Sequence, residues 1–247
     1  MLRLEGKTAI VTGAASGFGA GIARVFSREG ASVMVADLNE DAAVKIADEI
    51  GGAANRTDVS DGAAVKEMAE AAMDQWGRID IVVNNAGITH KKGNLEDVSE
   101  EEFDRVLAVN AKSVYLTARV IVPHMKAVGT GAILNIASTA GLSPRPQLNW
   151  YNASKGWMIT ATKTMAVELA PSGIRVNALC PVAGETPLLA SFMGEDTPEM
   201  RAKFLATIPL GRFSQPQDMG EAAAFLCSDA AGMITGVALE VDGGRCI

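Results

Sequence analysis

Short apolar runs alternate along this chain with longer segments whose apolar residues recur at helical spacing. The runs, rich in Val and Ile, are TAIVTG, SVMVAD, IDIVVNNAG, GAILNIAS, IRVNALCP and GVALEVDGG. Continuous apolar runs of this length are typical of strands buried on both faces. The helical segments between them cover roughly 17–30, 40–50, 61–76, 99–128, 150–171 and 216–228. This alternation predicts a three-layer α/β fold, with a parallel sheet between helices on both faces.

One segment departs from the alternation. Residues 186–213 follow the strand that ends near Cys180, and prolines interrupt their short helical pieces. A long excursion after the carboxyl end of a late strand often serves as a functional lid in a compact α/β domain. A helical hairpin packed permanently on the core is the alternative interpretation. We expect a helical substrate lid near 186–213.

Composition and charge narrow the class of protein. The 247 residues, 48% of them hydrophobic, contain no linker, low-complexity tract or repeat, which predicts one domain over 1–247. With a net charge of −7 and no Lys/Arg run longer than Lys91 and Lys92, nucleic acid is not an expected partner. Three cysteines without metal-ligand spacing favour a reduced, cytoplasmic setting and no metal. We expect no membrane span, because no apolar stretch approaches about 18 residues, and no signal peptide.

The first strand leads into a glycine-rich turn and then a helix. Gly13, Gly17 and Gly19 in VTGAASGFGAGIARV allow a tight turn, and they let a phosphate group approach the backbone. The free N–H groups at the start of the following helix favour an anion at the same place. This strand–turn–helix context predicts a dinucleotide site.

Asp37 ends the second apolar run, 18 residues after Gly19. A carboxylate at the tip of this strand can accept hydrogen bonds from both adenosine ribose hydroxyls and would repel a 2′-phosphate. Ser16 stands where an Arg could have met such a phosphate. NAD is therefore favoured over NADP. Alternatively, Asp37 is the N-cap of the next helix.

Tyr151 and Lys155 lie four residues apart at the start of a predicted helix. Residues at this spacing share one helical face, so the phenol and the ammonium group would be neighbours. A tyrosine that packs and a lysine that reaches solvent would give the same spacing on an ordinary helix. The alternatives to function are equally simple for Ser138, as a turn residue, and for Asn110, as a residue at a helix bend.

The ordered set of motifs is more specific than any one of them. TGAASGFG (12–19), NNAG (84–87), Asn110, Ser138 and YNASK (151–155) resemble the short-chain dehydrogenase/reductase family over nearly the whole chain, down to VDGG near the end. The resemblance implies a Rossmann-type sheet of seven parallel strands and a homotetramer. It also implies an NAD-dependent alcohol dehydrogenase or ketone reductase with the catalytic set Asn110, Ser138, Tyr151 and Lys155.

The same resemblance implies the cofactor contacts. Asp58 would meet the adenine, and Thr186 the carboxamide side of the nicotinamide. The full implied cofactor set is Gly13, Ser16, Phe18, Gly19, Asp37, Asp58, Val59, Asn85, Ala86, Gly87, Tyr151, Lys155, Pro181 and Thr186.

The implied mechanism makes Tyr151 the general acid/base, because an alcohol oxygen gains or loses a proton when its carbon gains or loses a hydride. Lys155, with the positive charge of oxidised nicotinamide, would lower the pKa of Tyr151 and hydrogen-bond the nicotinamide ribose. Ser138 would hold the substrate oxygen and stabilise its developing charge. Asn110 would keep a water in line with Lys155 as a proton path.

The chain departs from the family pattern after the strand that ends near residue 180. Val182 stands where glycine is usual and Gly184 where an apolar residue is usual, so no role is carried over to either. Substrate choice would depend on 142–150, 89–93 and the lid. Arg145 is the first candidate for binding an oxyanion, and Trp150 is a candidate pocket wall or, equally, a core or interface residue. His90, Lys91 and Lys92 could attract an acidic group or simply be solvated.

Three functions follow from these residues. The first is NAD-dependent oxidation of a secondary alcohol on a small polar molecule such as a sugar or polyol derivative. The second is reduction of 3-oxoacyl thioesters on acyl carrier protein. It is weakened because Gly129 and Ser172 stand where arginines often dock that acidic carrier in such reductases. The third is a non-catalytic protein that senses a dinucleotide.

Overall fold

The computed structural model describes residues 2–247 and contains one seven-stranded sheet in which every pairing is parallel. The strand order is β3-β2-β1-β4-β5-β6-β7. The chain therefore starts in the middle of the sheet, builds one half outwards, returns, and builds the other half. The strands are β1 (Thr8–Thr12), β2 (Ser32–Asp37), β3 (Ala53–Arg56), β4 (Ile81–Asn84), β5 (Gly131–Ile136), β6 (Ile174–Pro181) and β7 (Ala238–Val241).

Helices cover both faces of the sheet, as the alternation of apolar runs predicts. They are α1 (Gly17–Arg28), α2 (Glu40–Ile50), α3 (Gly62–Trp76), α4 (Glu100–Leu107), α5 (Ser113–Val128), α6 (Asn149–Leu169), α7 (Leu189–Met193), α8 (Pro198–Leu205) and α9 (Pro216–Cys227). Successive strand residues point to opposite faces, so Val11 packs in a core with α1, α2 and α9. Its neighbour Ile10 packs in a second core with α3, α5 and α6. Both faces are buried, which explains the continuous apolar runs.

The third strand is absent from the pattern of apolar runs. β3 has the sequence AANR, and its residues are half-buried or exposed at the edge of the sheet. A short edge strand needs no apolar run, so periodicity does not reveal it. The seven strands implied by the family resemblance are confirmed.

The predicted helix over 99–128 is interrupted by a π-helical turn. α4 continues through Ala108–Lys112, which is π-helical, into α5. By length and apolar composition the stretch Glu100–Val128 could cross a membrane, with a mean hydropathy of 1.2. Core helices pass the same test, and α5 contacts α3, β4 and β5. The expectation of no membrane span stays a prediction.

Residues 186–213 form α7, α8 and the connections around them, and they pack on a small core of their own. Val182, Leu189, Met193, Ile208 and Phe213 form this core, separate from the two that flank the sheet. Because Val182 directly follows β6, this cluster packs the segment against the end of that strand. The lid itself stays a prediction.

A buried chain of polar side chains ties β4 and β5 to α6. The Asn84 amide donates to the Asn135 carbonyl oxygen at 2.8 Å, and the Asn135 amide donates to the Thr162 hydroxyl at 2.8 Å. All three residues are at least 96% buried. Fully satisfied polar chains of this kind fix one packing arrangement. This one fixes how α6, and with it Tyr151, is placed against the sheet.

Candidate active site

A cavity of about 640 Å³ opens at the carboxyl ends of the strands. Residues that end or follow six different strands line it, which is where ligands bind in open α/β sheets. These are Gly13, Asp37, Asp58, Asn85, Ser138 and Pro181. The lid segment contributes Thr186, Phe192 and Phe204.

The glycine turn leaves no room for side chains. Gly13 has φ 62°, and a Cβ there would lie 2.8 Å from the Cα of Ala86. A Cβ at Gly19 would collide with the carbonyl oxygen of Gly13. Ser16 is the N-cap of α1, and its side chain makes no cap hydrogen bond, so the first N–H groups of α1 are left for a ligand. Gly19 packs beneath the turn and does not line the cavity, so its role is to let α1 approach the strand.

Two polar side chains hold the turn in place. The Asn85 amide donates to the carbonyl oxygens of Thr12 (2.8 Å) and Gly13 (3.0 Å). The Thr12 hydroxyl accepts the backbone N–H groups of Asn85 and Ala86, each at 3.1 Å. Thr12 is not among the predicted site residues. The signal that identifies it is a hydroxyl residue at the end of a buried strand. The Asn85 side chain supports the turn from behind.

Asp37 joins the turn to the second strand. Its carboxylate accepts the N–H of Ala15 at 3.0 Å and that of Asn39 at 3.0 Å. The alternative that Asp37 caps α2 is wrong, because Asn39 is the N-cap and accepts the N–H of Ala42. Asp37 lines the cavity and is half-buried. It therefore presents a fixed carboxylate at the strand tip.

The residues at this end fit a dinucleotide. The cradle without Cβ atoms at Gly13, the uncapped start of α1 and the carboxylate of Asp37 match a pyrophosphate and a ribose diol in turn. Asp58 and Val59 close the same end. Hydrogen bonds from the side chain and backbone of Ser60 hold the pKa of Asp58 below its ordinary value, so the carboxylate is ionised at neutral pH.

The predicted catalytic side chains converge at the middle of the cavity. Tyr151 and Lys155 are 94% and 97% buried on one face of α6, and both line the cavity. The Lys155 ammonium lies 5.9 Å from the centre of the Tyr151 ring. It donates to the carbonyl oxygen of Ile136 at 2.8 Å. Ser138 follows β5 and lines the same cavity. Its hydroxyl accepts the N–H of Ala140 at 3.1 Å.

The prediction that the pKa of Tyr151 is lowered is wrong for the protein without a bound cofactor. Burial raises the pKa of Tyr151 to about 12, and the hydrogen bond from Ser138 offsets only part of that effect. Burial also lowers the pKa of Lys155 to about 8. The physical reason is that desolvation disfavours both charged forms, while the ammonium is directed to Ile136 rather than to the phenol oxygen. A further positive charge is needed before the phenolate becomes accessible near neutral pH.

Asn110 lies in the π-helical turn Ala108–Lys112 and does not line the cavity. Its amide oxygen accepts the N–H of Ile88 at 2.9 Å, and its amide nitrogen donates to the Ile88 carbonyl (2.8 Å) and to the Ser154 hydroxyl (3.0 Å). The side chain is thus fully engaged with protein groups. It fixes the chain after β4 against α6, which places Gly87 beside Lys155.

The far end of the cavity is lined by cations and aromatic rings. Arg145, the predicted oxyanion ligand, lines it together with Lys92 and Arg245. Arg245 is absent from the predicted site residues, because it lies in the short tail after β7 and no local motif marks it. Phe192 packs against the Tyr151 ring with centroids 5.3 Å apart.

The prediction that Trp150 contacts substrate is corrected. Trp150 does not line the cavity. Its indole N–H donates to the Leu95 carbonyl at 3.2 Å, and its ring packs edge-on against Phe103 at 5.3 Å. Successive helical residues point about 100° apart, so the residue before Tyr151 faces outwards when Tyr151 faces inwards. Trp150 anchors the 94–103 segment to α6.

The family follows from a comparison with known sequences. The short-chain dehydrogenase/reductase model described as enoyl-(acyl carrier protein) reductase matches residues 13–245. The chain belongs to the short-chain dehydrogenase/reductase family. Its fold, its glycine turn and the grouping of Ser138, Tyr151 and Lys155 agree with the sequence resemblance.

Three proteins are similar to this chain over almost its whole length. The 4-formylbenzenesulfonate dehydrogenase TsaC1/TsaC2 of Comamonas testosteroni is 51% identical over 99% of both chains. The cis-4-hydroxycyclohexanecarboxylate dehydrogenase of Sinomonas cyclohexanicum is 38% identical over 96% of both. The crystal structure of a 3-ketoacyl-(acyl-carrier-protein) reductase from Brucella melitensis, complexed with NADH, is 52% identical and has a TM-score of 0.94. That match covers 99% of this chain and 100% of the Brucella chain.

The departures of this short-chain dehydrogenase from the family pattern have a structural reason. A Cβ at Gly184 would collide with the Phe18 ring, which therefore fills the space of a larger side chain at 184. Val182 lines the cavity and also belongs to the apolar core under the lid segment. Pro181 and Thr186 line the cavity on either side of these two residues. The wall is rearranged around the Phe18 ring and remains closed.

Most of the predicted site residues line one cavity, and Gly19, Asn110 and Trp150 do not. The predicted residues that line it are Gly13, Ser16, Phe18, Asp37, Asp58, Val59, Asn85, Ala86, Gly87, Ser138, Arg145, Tyr151, Lys155, Pro181 and Thr186.

Proposed function

We propose that this short-chain dehydrogenase uses NAD to interconvert an alcohol and its carbonyl product on a small molecule that also carries an acidic group. The observation that supports the chemistry is the meeting of Ser138, Tyr151 and Lys155 in a cavity whose other end fits a dinucleotide. A hydroxyl donor, a phenol and an ammonium group are the three groups that hydride chemistry on an alcohol needs for orientation and proton transfer.

Each residue has a separate task in this mechanism. Lys155, Pro181 and Thr186 line the part of the cavity that would hold the nicotinamide, which when bound in its oxidised form would supply a hydride acceptor and a positive charge near the phenol. Ser138 donates to the substrate oxygen and keeps it beside the Tyr151 phenol. Tyr151, as the phenolate, accepts the alcohol proton. Lys155 is charged at neutral pH, since its pKa is about 8, and it stabilises that phenolate.

The choice of NAD is supported by Asp37. Its carboxylate, held by the N–H groups of Ala15 and Asn39, would accept hydrogen bonds from a free ribose diol and repel a 2′-phosphate. The similar Brucella protein was crystallised with NADH. Both observations favour the unphosphorylated cofactor.

The acidic group of the substrate is supported by two relatives and by the charge of the cavity. In the substrates named for the Comamonas and Sinomonas enzymes, a formyl or hydroxyl group stands at ring position 4, across a six-membered ring from a sulfonate or a carboxylate. The far end of the present cavity carries Lys92, Arg145 and Arg245. These observations move the proposal from a sugar or polyol derivative to a ring acid.

Reduction of a 3-oxoacyl thioester is the second candidate, because the similar Brucella protein is described as such a reductase. The two functions differ in substrate, and reductive biosynthesis generally draws on NADPH, although the Brucella protein was crystallised with NADH. A marked preference for NADPH and for an acyl thioester would overturn the first proposal. A protein that only senses dinucleotide would show neither reaction.

The test is to follow NADH absorbance with wild type and Tyr151→Phe on a panel of alcohols that includes 4-(hydroxymethyl)benzoate. We expect the variant to lose at least about 1,000-fold in kcat, in line with the loss of a general base and its orienting contacts, while it keeps wild-type affinity for NAD. Alcohol oxidation by wild type should rise with pH through an apparent pKa well below 12, because the bound cofactor adds the missing positive charge. Full activity in Tyr151→Phe would contradict the mechanism.

We further infer a homotetramer in a reduced, cytoplasmic compartment. Tyr115 on α5 and Trp157 and Val167 on α6 are apolar or aromatic and exposed in the single chain, as residues at a subunit interface are. Cys180, Cys227 and Cys246 are free thiols. Light scattering on the purified protein tests the assembly, and a monomer would contradict it.

A further inference from the structure

Two arginines from distant parts of the chain meet at the rim of the cavity. Arg145 lies in the loop between Ser138 and Tyr151, and Arg245 lies in the tail after β7. Both line the cavity that contains Tyr151. They are close enough for the charge of Arg145 to contribute, after burial, to lowering the pKa of Arg245.

Within residues 2–247, no carboxylate lies within 4 Å of either guanidinium group. Asp242, the acid nearest in sequence to Arg245, is engaged elsewhere. Its two carboxylate oxygens accept the N–H groups of Gly244 and Cys246, each at 2.9 Å. The charge of Asp242 offsets only part of the effects that lower the pKa of Arg245. Two neighbouring guanidinium groups that no described carboxylate pairs directly are an unfavourable arrangement that an acidic ligand would relieve.

Arg245 is held towards the lid segment. Its guanidinium group donates to the Thr207 hydroxyl and lies 5.1 Å from the centre of the Phe204 ring. A guanidinium group has five N–H donors in a planar fork, so these contacts leave several of them free. The side chain is therefore oriented before any ligand arrives.

The loop that carries Arg145 is fixed as well. The Asn152 amide donates to the Arg145 carbonyl at 2.7 Å, and the N–H of Gly93 donates to the Gln147 carbonyl at 3.1 Å. Gln147 has φ 70°, a left-handed conformation that costs a non-glycine residue free energy and that clusters at ligand sites.

Asn152 supplies a second, independent sign of a ligand. It is 93% buried and lines the cavity one residue after Tyr151. Its amide nitrogen holds the Arg145 loop, and its amide oxygen is buried without a hydrogen-bond partner. A buried acceptor without a partner is costly, so it marks a place where a donor group of a ligand is expected to bind. An oxyanion has no donor, so this oxygen indicates a ligand in the cavity and does not itself contact the acidic group.

We propose that Arg145 and Arg245 together bind the acidic group of the substrate, a carboxylate or a sulfonate, and that Asn152 positions the Arg145 loop for it. This assignment rests on the proposed function, whose substrate class it makes specific. Planar guanidinium groups bind such oxyanions through paired hydrogen bonds, and two of them from separate segments fix the distance between the acidic group and the alcohol carbon at Tyr151.

The test compares kcat/KM for 4-(hydroxymethyl)benzoate with that for the neutral 4-(hydroxymethyl)benzamide. We expect wild type to favour the acid, and Arg145→Gln and Arg245→Gln each to lower the acid-to-amide ratio by about 10- to 100-fold, mainly through KM. Arg245→Lys should retain part of the preference. Arg24→Gln is the matched control, because it removes the same charge from a surface pair with Glu49 outside the cavity. An equal loss on both alcohols in Arg245→Gln would show that Arg245 only fastens the lid segment, and would overturn the assignment.

A binding measurement separates this assignment from the proposed function. Benzenesulfonate and benzenesulfonamide are titrated into the NAD-saturated protein, and the affinity is measured by calorimetry. Tighter binding of the sulfonate, lost in both Gln variants, supports the site even if no alcohol is oxidised. Oxidation of both alcohols at equal efficiency, with equal binding of the two sulfonyl compounds, would leave the dehydrogenase in place and overturn the site.

Discussion

The two ends of the cavity are built in different ways. At the dinucleotide end, Asn85 and Asp37 bind backbone groups at the glycine turn, and Thr12 binds the N–H groups of Asn85 and Ala86, all within 3.1 Å. At the substrate end, the wall consists of loops, a short tail and the lid segment, which is joined to α9 by a partly exposed ion pair, Arg212–Asp218. Surface pairs of this kind contribute little to stability.

The two ends differ in how many of their polar side chains are hydrogen-bonded within the protein. The dinucleotide end satisfies its own side chains, so it keeps one shape with or without a ligand. At the substrate end, the Asn152 amide oxygen has no hydrogen-bond partner among residues 2–247. No carboxylate of those residues lies within 4 Å of the Arg145 or Arg245 guanidinium group. A rigid cofactor site beside an unsatisfied substrate site allows one fold to serve many substrates.

The largest expected effect comes from a substitution at the rigid dinucleotide end. Gly19→Ala should lower NAD affinity at least about 100-fold and reduce the free energy of unfolding by about 3 kcal/mol, because the new methyl group collides with the backbone oxygen of Gly13. Calorimetric titration and urea denaturation measure the two quantities. Gly62→Ala is the control, since a Cβ there makes only an ordinary contact at 3.4 Å. Wild-type NAD affinity in Gly19→Ala would show that the turn can adjust, against the rigidity described above.

The next effect concerns specificity at the same end. Asp37→Ser should raise the NADP-to-NAD ratio of kcat/KM by about 100-fold, or about 2.7 kcal/mol, since it removes both the ribose acceptor and the charge that repels a 2′-phosphate. The mutation also removes the acceptor for Ala15 N–H, so some loss of stability is expected. Asp41→Ser, on the exposed first turn of α2, is the control for net charge. An unchanged ratio would mean that Asp37 has only a structural role.

The same contrast explains what the sequence predicts. Six of the seven strands, the glycine turn and the placement of Ser138, Tyr151 and Lys155 are predictable from local sequence, because strand ends and one helical turn determine them. The edge strand β3 is not, since it has no apolar run. Arg245 is not predictable in this way, since only the fold brings the tail after β7 to the loop that carries Arg145. The orientation of Trp150 and the saturation of the Asn110 side chain also depend on neighbours far away in sequence. The direction of the Tyr151 pKa shift is not predictable for a similar reason. The spacing of Tyr151 and Lys155 does not reveal how deeply both side chains are buried.

A smaller effect, on the free energy of unfolding, is expected for Lys155 at the centre of the cavity. Its pKa falls from 10.5 to about 8 in the folded protein, which corresponds to roughly 3 kcal/mol of destabilisation below pH 8. Lys155→Met should therefore stabilise the cofactor-free protein at pH 7, by about 2 kcal/mol after the loss of the hydrogen bond to Ile136.

The stability difference between wild type and Lys155→Met depends on pH in a direction that follows from the Lys155 pKa. The folded pKa is depressed, so the wild-type protein gains stability as the pH rises from about 8 to 10.5, and it loses that stability as the pH falls again. The advantage of the Met variant should be largest below pH 8 and should shrink towards pH 10.5. Urea denaturation at both ends of this range measures it. A Met variant less stable than wild type at pH 7 would show that the buried ammonium is well compensated.

The smallest effect lies where the two ends meet, at Phe18 and Gly184. Gly184→Ala should destabilise the protein by about 1.5 kcal/mol, because its Cβ would collide with the Phe18 ring and lie 2.8 Å from the Ser214 carbonyl oxygen. In Phe18→Ala the ring is gone, so the same Gly184→Ala change should cost about 1 kcal/mol less, and urea denaturation of the two single variants and the double variant gives that coupling. Zero coupling would assign the whole cost to Ser214 and would mean that Phe18 does not explain the glycine at 184. A positive coupling would show that Phe18, within the glycine turn, and Gly184, just before the lid segment, are packed against each other, so that a side chain at 184 requires a smaller residue at 18.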